Sequence, residues 1–560
     1  MVAIFGLVSF LVVSLTVLPV LVLLLTAFRP QGKLWLDPAG FSLENFVNLA
    51  SQPGLGQLIS NTVIYVGGTI AIATFFATLW AWITERTDFR YKVTVRVLMV
   101  LTLSLPSLIQ GFGWVLLLNP SNGYINHLLR TWFDLETQNG PINIYSLGMM
   151  VLVSSFLLTP TIYVMLSGII RNMDYKLEFP ATLAGVSPWR ILLRIVGPIL
   201  LPGLLSVFIY TVMIMIQVFE IPLSIGLTGG IQVLSTRIYL LSTAELGAPD
   251  YNLAAAFGIV LVVIALFLVL LYQRLTRESE KFAVIGGKNF RLVAKELGWR
   301  RHAVHGYAVA FFLLAFMPVL ILLWASLLPF YTLPSVEALA NVSFDNYRQL
   351  FSSALFQRSL SNTAIVVVLG STLAICVSFL VAYVSVRPVN RWCRWLDVLS
   401  FLPIAIPNIV LGLAVLLLYV RTPIYGTIAA ILLAQVVVNL VFGTRVISAA
   451  LIQVHPDIER AAILGGVGRL RIMWRVLVPI LRTQIFNGWL LVFAHGMRDV
   501  GIPLIFLTTK TAMLSSALWL LWGYPDVPGA AALSVVLIVL LAAVVMPLQV
   551  YMARVDERNS

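Results

Sequence analysis

Long apolar runs separated by short polar loops decide what this chain can fold into. The first run, from Val2 to Phe28, carries no charged residue, and similar runs recur along all 560 residues. The chain is 60% hydrophobic and only 11% charged, with a mean hydropathy of +0.97. No soluble fold could cover that much apolar surface, whereas a bilayer can, and a helix of roughly 20 apolar residues crosses it. We count twelve candidate spans, six in each half, and predict an all-α polytopic membrane protein.

The first run is predicted to be a membrane span and not a cleaved leader. It lacks a basic segment before it and a small-residue cleavage site after it, and it is too long for a signal peptide.

The basic residues are distributed unevenly between the two sides of the predicted bundle. Counted by loop, 27 Lys and Arg residues fall on one side and eight on the other, while Arg498 lies in or at the edge of a span. This asymmetry is what the positive-inside rule describes, and it predicts that both termini are cytoplasmic. The formal charge of +13 therefore indicates topology, and we expect no nucleic-acid partner.

The sequence also repeats itself. Residues 178–198 and 459–479 each hold Glu, then Gly seven residues on, then Pro thirteen further, at an offset of 281. At an offset of 301, Ser60-Asn61-Thr62 matches Ser361-Asn362-Thr363. Two homologous halves are therefore fused.

We predict a first membrane half at residues 1–275, a basic cytoplasmic linker at 276–303, and a second membrane half at 304–560. The change of offset leaves 20 extra residues in the first half, and the loop from Asn119 to Asn143 can hold them. Its apolar residues recur at helical spacing, which predicts a short amphipathic helix on the outer interface or against a neighbouring loop. Those residues are Ile125, Leu128, Leu129, Trp132 and Phe133.

The two Glu-Gly-Pro segments predict a helix-turn-helix outside the membrane, here named the first coupling loop (171–200) and the second coupling loop (450–482). Asp174 and Asp457 can cap a helix, and Gly185 and Gly466 permit the left-handed turn that ends it. Apolar tips at Leu183 and Ile463 would then face the cytoplasm. Two such tips favour a homodimeric partner with two grooves, although a single loop packed on its own bundle would also fit each segment.

The segments resemble the EAA loops of binding-protein-dependent ABC importer permeases, in which Glu-Ala-Ala precedes Gly by a fixed spacing. The Ala pair stands as Ala461-Ala462 in the second loop and Pro180-Ala181 in the first. Both glutamates stand one place before the motif position, which holds Phe179 and Arg460. The resemblance implies a type I importer fold whose loops seat on a homodimeric ATPase. It assigns ATPase coupling to Glu178, Ala181, Leu183, Gly185, Glu459, Ala461, Ala462, Ile463 and Gly466.

Within that superfamily the chain is similar to fused ferric-iron permeases over nearly its whole length. The residues that carry this likeness include Phe219-Glu220-Ile221-Pro222, the run from Gly229 to Tyr239, Pro249-Asp250-Tyr251 and Gly286-Gly287-Lys288. The likeness implies a bacterial inner-membrane protein served by a periplasmic substrate-binding protein, with ferric iron as cargo. Phosphonates, sugar phosphates, thiamine and polyamines are alternative cargoes of such permeases.

Nothing in the sequence predicts chemistry by this chain. Gly287-Lys288 is followed by Asn289, and Phe282 stands where a phosphate-binding loop needs its first Gly. Cys376 and Cys393 have no metal-ligand spacing. We expect no catalytic residue, metal site or cofactor on this chain, and we expect ATP and Mg²⁺ to be bound by the partner ATPase.

Charged residues recur at one depth in the fifth span of each half. The offset of 281 aligns the segment holding Gln217 and Glu220 with that holding Arg498 and Asp499. Because an ionisable group at depth needs a partner or a wet cavity, we assign these four residues to the translocation path or its gate, with Arg498 pairing with one acid. Anchoring at the headgroup boundary is the alternative.

A secondary transporter of the major-facilitator type is the rival class, since it also has twelve spans in two halves. Its signature loop after the second span is absent, and Glu85-Arg86-Thr87-Asp88-Phe89-Arg90 stands there instead.

Overall fold

The computed structural model describes residues 2–171, 181, 184–187, 190, 194, 197–279, 296–388, 393–523 and 526–559. It is built of helices, and the all-helical prediction is confirmed. The first sequence half contributes eleven helices in the described residues. They are α1 (Val2–Val12), α2 (Leu18–Ala27), α3 (Glu44–Ala50), α4 (Leu55–Arg86), α5 (Lys92–Ser104), α6 (Ser107–Leu118), α7 (Tyr124–Trp132), α8 (Leu147–Arg171), α9 (Gly197–Gln217), α10 (Leu234–Ser242) and α11 (Tyr251–Ser279).

The second half contributes fourteen helices in the described residues, several of them short pieces of interrupted spans. They are α12 (Arg301–Ser326), α13 (Val336–Leu339), α14 (Asp345–Ser352), α15 (Ala354–Val386), α16 (Cys393–Phe401), α17 (Asn408–Tyr419), α18 (Ile428–Gln453), α19 (Pro456–Leu464), α20 (Arg469–Ile472), α21 (Val478–Ile480), α22 (Arg482–Arg498), α23 (Gly501–Ile505), α24 (Leu514–Gly523) and α25 (Val527–Asn559).

Fewer helices are long enough to cross a membrane than the twelve spans predicted. Within the described residues, eight helices are long and apolar enough to cross a bilayer, or ten if each of two bent pairs is one span. One bent pair is α5 with α6, which meet at 96°. Two of the twelve predicted spans are left. They correspond to α9 and to the pair α16 and α17, whose apolar segments are shorter than the 18 residues needed to count as a span. Sequence hydropathy does not reveal these breaks, because a bend leaves the run of apolar residues unchanged.

Proline accounts for the break in the first bent pair. Pro106 is the N-cap of α6 with an extended backbone, φ −63° and ψ 131°, and Leu105 before it is extended as well. A residue that precedes proline is disfavoured in the helical region, so α5 ends here. Pro407 is likewise the N-cap of α17, with an extended backbone at φ −54° and ψ 140°.

The helices group into two compact units that do not coincide with the two sequence halves. One unit comprises residues 1–53, 237–262 and 325–560, and the other comprises 54–236 and 263–324. In the first unit, α2 packs against α17. In the second unit, Trp80 of α4 stacks on Tyr307 of α12 with ring centroids 4.7 Å apart. The first span of each sequence half thus packs against helices of the other half. The domain limits at 275 and 304 describe the sequence repeat and stay a prediction.

The internal repeat is visible in equivalent hydrogen bonds. Asn61 Nδ2 donates to Gln232 O at 3.2 Å, and Asn362 Nδ2 donates to Ala512 O at 2.9 Å. The next residue behaves alike, since Thr62 Oγ1 accepts from Leu234 N and Thr363 Oγ1 accepts from Leu514 N. Within each unit the same short motif therefore fastens the start of a long span to the chain that follows the fifth span.

The predicted amphipathic helix in loop 119–143 is present as α7. Buried Asn126 holds the loop together, because its Nδ2 donates to Leu118 O, Asn119 O and Ile142 O within 3.1 Å. Trp132 and Phe133 are 75% and 68% exposed at its end. Both predicted alternatives, the lipid surface and a neighbouring loop, stay open for these two rings.

Candidate functional site

The second coupling loop begins with α19, and its start differs from the prediction. Asp457 was expected to cap this helix, but His455 is the N-cap, and its Nδ1 accepts from Asp457 N at 3.4 Å. Pro456 follows at the first helical position, where its missing N–H is no loss. Asp457 instead pairs with Arg460 one turn on, at 2.9 Å.

The end of α19 is the turn that the sequence predicted. Gly466 has φ +76°, and Val467 N donates to Ala462 O at 3.1 Å. This bond and the left-handed glycine close the helix. The first coupling loop repeats the arrangement, since Gly185 has φ +70° and Val186 N donates to Ala181 O at 3.1 Å. Glu178 and Leu183 of that loop lie outside the described residues, as does Asp174.

Helix α19 has two faces. Its outer face carries exposed Ala461, Ile463 at 42% exposure and Leu464 at 89%. Its inner face carries Ala462, which packs on a buried apolar cluster that includes Leu451 and Met473. The helix thus presents an apolar tip away from its own bundle, and Leu464, which was not among the predicted residues, is its most exposed member.

Glu459 lies on the inner face of α19. Its carboxylate accepts from Arg387 Nε at 2.8 Å, and the side chains of Arg387 and Glu459 are 17% and 8% exposed. Arg387 directly follows α15, so the ion pair joins α19 to a 33-residue helix of the same unit. A glutamate assigned to ATPase coupling is therefore engaged with its own chain, and the motif position beside it, Arg460, is the exposed one at 74%.

A second group of polar side chains surrounds Asp499, where α22 ends and the chain becomes extended. Asp499 is 6% exposed and accepts from Gln435 Nε2 at 2.7 Å and from Asn408 Nδ2 at 3.4 Å. Asn439 Nδ2 then donates to Gln435 Oε1 at 3.0 Å. We name Asn408, Gln435, Asn439 and Asp499 the amide cluster.

The amide orientations in this cluster are fixed by its neighbours. Asn439 Nδ2 faces two acceptors, Gln435 O and Gln435 Oε1, and Gln435 Nε2 faces a carboxylate. Asp499 was predicted in this region, while the three amide residues of the cluster were not. The sequence signal for them is the presence of amide side chains inside the apolar runs that become α17 and α18.

The other predicted path residues stand at similar helix ends. Gln217 is the last residue of α9, and the Glu220 carboxylate accepts from Phe219 N at 3.2 Å. Arg498 is the last residue of α22. Gln217 and Glu220 belong to one compact unit and Arg498 and Asp499 to the other, so the pairing of Arg498 with an acid across the halves stays a prediction.

Comparison with known proteins gives consistent matches. Residues 73–281 and 374–560 match the family described as "Binding-protein-dependent transport system inner membrane component". The ferric transport system permease protein FbpB of Actinobacillus pleuropneumoniae is 24% identical over 494 residues, which cover 86% of this chain and 69% of the relative. The Fe(3+)-transport system permease protein FbpB 2 of Haemophilus influenzae is 22% identical, over 85% of this chain and 86% of its own.

Among solved structures, one chain of a bacterial ABC transporter involved in the import of the acidic polysaccharide alginate aligns with 44% of this chain and 94% of its own. Its identity is 16% and its TM-score 0.35.

The two matched segments together cover more than half of the chain, one in each half of the repeat. The chain therefore belongs to the family of inner-membrane components of binding-protein-dependent transport systems, and it is a permease subunit of an ABC importer.

Proposed function

We propose that this permease imports ferric iron, which a periplasmic binding protein delivers and which a homodimeric ATPase drives through the two coupling loops. Membership of the family already implies a binding protein and a separate ATPase. The observation that carries the two-fold arrangement is the left-handed glycine turn that recurs at Gly185 and Gly466. Two copies of one turn in homologous halves match a partner with two equivalent grooves.

The apolar tip of the second coupling loop supports this seating. Ile463 and Leu464 are exposed at the end of α19, where a helix end can enter a groove of another protein. The excess of Lys and Arg on the loops of this side supports a cytoplasmic position for both coupling loops and both termini. In this arrangement ATP and Mg²⁺ are bound by the ATPase, and the permease responds only to the displacement of its coupling loops by the ATPase subunits.

The identity of the cargo rests on the relatives. Two permeases named for ferric transport match this chain along about 85% of its length, each at under 25% identity. Phosphonates, sugar phosphates, thiamine and polyamines remain the alternatives within the same transport role. A secondary transporter is no longer a candidate, because the family membership establishes the ABC permease class.

The translocation path in this proposal passes Gln217, Glu220, Arg498 and Asp499. Gln217 and Arg498 each end a helix that is interrupted within the bundle, and Asp499 is a buried acid. Interrupted helices expose backbone groups at depth, and such groups are tolerated where they line a cavity. Their place at these helix ends supports a role for the four residues in gating the translocation path.

The cargo is tested with the permease and its ATPase reconstituted in proteoliposomes. Binding proteins loaded with ferric iron, a phosphonate, a sugar phosphate, thiamine or a polyamine are added from the outside, and ATP hydrolysis inside is measured. We expect the ferric-loaded protein to stimulate hydrolysis and its unloaded form not to. Stimulation by another loaded protein and none by the ferric form would contradict the assignment of iron.

A further inference from the structure

Arg387 is the meeting point of three helices. It follows the last residue of α15, and its Nε donates to Glu459 of α19 at 2.8 Å. Its Nη2 donates to Val454 O at 2.7 Å and to Leu451 O at 3.5 Å, at the end of α18. One guanidinium therefore binds the Val454 carbonyl, just after the end of α18, and the carboxylate of α19 at the same time.

Burial distinguishes this ion pair from the neighbouring one on the same helix. The side chains of Arg387 and Glu459 are 17% and 8% exposed, whereas those of Arg460 and Asp457 are 74% and 62% exposed. Water and salt screen an exposed pair, so it adds little to stability. A buried pair is different, because removing one partner leaves the other as an uncompensated charge.

The phase of the helix explains why Glu459 can make this contact. Successive residues on a helix differ in direction by about 100°. Arg460 points outward, and Glu459, about 100° away around the helix, faces Arg387 at the end of α15. The glutamates of this chain stand one place before the usual motif position, and in the second loop this shift directs the carboxylate inward.

We propose that Arg387 is a positioning residue that makes α19 move as one body with α15 and α18, so that displacement of the coupling loop reaches the membrane spans. The inference rests on the proposed function, since it needs an ATPase that moves α19. It assigns Glu459 to transmission of movement within this chain instead of contact with the ATPase. Loss of the pair is therefore expected to separate ATP hydrolysis from transport.

The sequence of the first half carries the same two residue types. Arg86 stands at the position equivalent to Arg387, and Glu178 at that equivalent to Glu459. Arg86 is also buried, at 6% exposure. Glu178 lies outside the described residues, so the second half carries the argument.

The first test measures transport per ATP hydrolysed in the reconstituted complex with ferric-loaded binding protein. Glu459→Arg and Arg387→Glu are expected to lower this ratio at least tenfold, while the amounts of permease and bound ATPase stay unchanged. The double variant with both changes is expected to recover part of the loss. Recovery is partial because a carboxylate at position 387 cannot donate to Val454 O and Leu451 O, while a cavity of about 390 Å³ beside the pair leaves room for the reversed side chains.

The control reverses an exposed ion pair outside the coupling loops, with Asp345→Arg and Arg348→Asp on α14, and is expected to leave the ratio unchanged. A normal ratio in both single variants of the buried pair would overturn the proposal, as would a double variant no better than the worse single. If a charge reversal fails to reach the membrane, Glu459→Gln and Arg387→Gln replace it. A fall in the ratio then supports the proposal, and an unchanged ratio overturns it.

A second measurement does not depend on the cargo. Spin labels are placed at Ile458 of α19 and Leu373 of α15, both exposed, after Cys376 and Cys393 are changed to serine. We expect the distance between the labels to stay the same when ATP is added to the complex, and to broaden or shift on adding ATP to the Glu459→Gln variant. A distance that changes with ATP in the otherwise native chain would overturn the rigid connection. If instead the distance stays constant but ferric iron gives no stimulation, the assignment of iron has failed and the inference stands.

Discussion

Gly466→Val is expected to lower transport tenfold or more while the permease still reaches the membrane. Gly466 has φ +76°, a region in which a β-branched residue is strained by about 1–3 kcal/mol. A Cβ at this position would meet no atom within 4 Å, so the change acts on backbone conformation without a clash. The turn that ends α19 is then lost, and Leu464, two residues earlier, no longer points to the ATPase. Transport and co-purified ATPase are measured together.

Two substitutions in the same loop serve as controls. Gly466→Asn is expected to be tolerated, because asparagine adopts the left-handed region at small cost. Gly468→Val is also expected to have little effect, since Gly468 has φ −65° and open space around its Cα. Equal activity of Gly466→Val and Gly468→Val would show that the left-handed turn is not needed for coupling.

Asp499→Leu is expected to lower the free energy of unfolding by about 2–4 kcal/mol, because it leaves the buried amide of Gln435 and the partly buried amide of Asn408 without their acceptor. The amide orientations are fixed by their other partners, so rotation of Gln435 cannot remove the loss. Transport is expected to fall as well, since the break after α22 loses its anchor. Thermal unfolding of the purified permease in detergent measures the first effect, and uptake in proteoliposomes the second.

Asp345→Asn is the control for this change, because the Asp345 side chain is 61% exposed and its pair with Arg348 is worth little. A midpoint of unfolding equal to that of the native chain in Asp499→Leu would mean that the amide cluster is not a stabilising feature. The Asp499→Asn variant is expected to have a midpoint of unfolding between those of the native chain and Asp499→Leu, because its amide oxygen can still accept from Gln435.

Much of this architecture could be predicted from sequence because the repeat preserves side chains that make specific hydrogen bonds. Asn61 and Asn362 have the same polar group at equivalent positions, and each donates to a backbone carbonyl of the chain that follows the fifth span. The glycine turns were predictable for a similar reason, since only a few residue types accept positive φ. The number of unbroken spans could not be predicted in this way, because the break at Pro106 bends an apolar run without shortening it.

The candidate site was predicted less completely. The pattern of glutamate, glycine and proline located α19 and its turn, but the direction of Glu459 depends on Arg387, which is 72 residues away in the chain. Likewise, His455 is the N-cap of α19, because its ring nitrogen is placed to accept a hydrogen bond from Asp457 N. Leu464 is more exposed than Ile463 because of the way α19 lies on the bundle. The helical period alone does not specify that orientation.

The central claim is that the tip of α19 contacts an ATPase subunit, and photo-crosslinking from position 464 tests it most directly. A photoreactive amino acid is placed at Leu464 in the intact complex, and Leu373 in the middle of α15, which is 46% exposed, serves as the control position. We predict a cross-link from position 464 to the ATPase subunit and none to it from position 373. Cross-links from position 464 only to the permease itself, in a complex that retains its ATPase, would contradict the account.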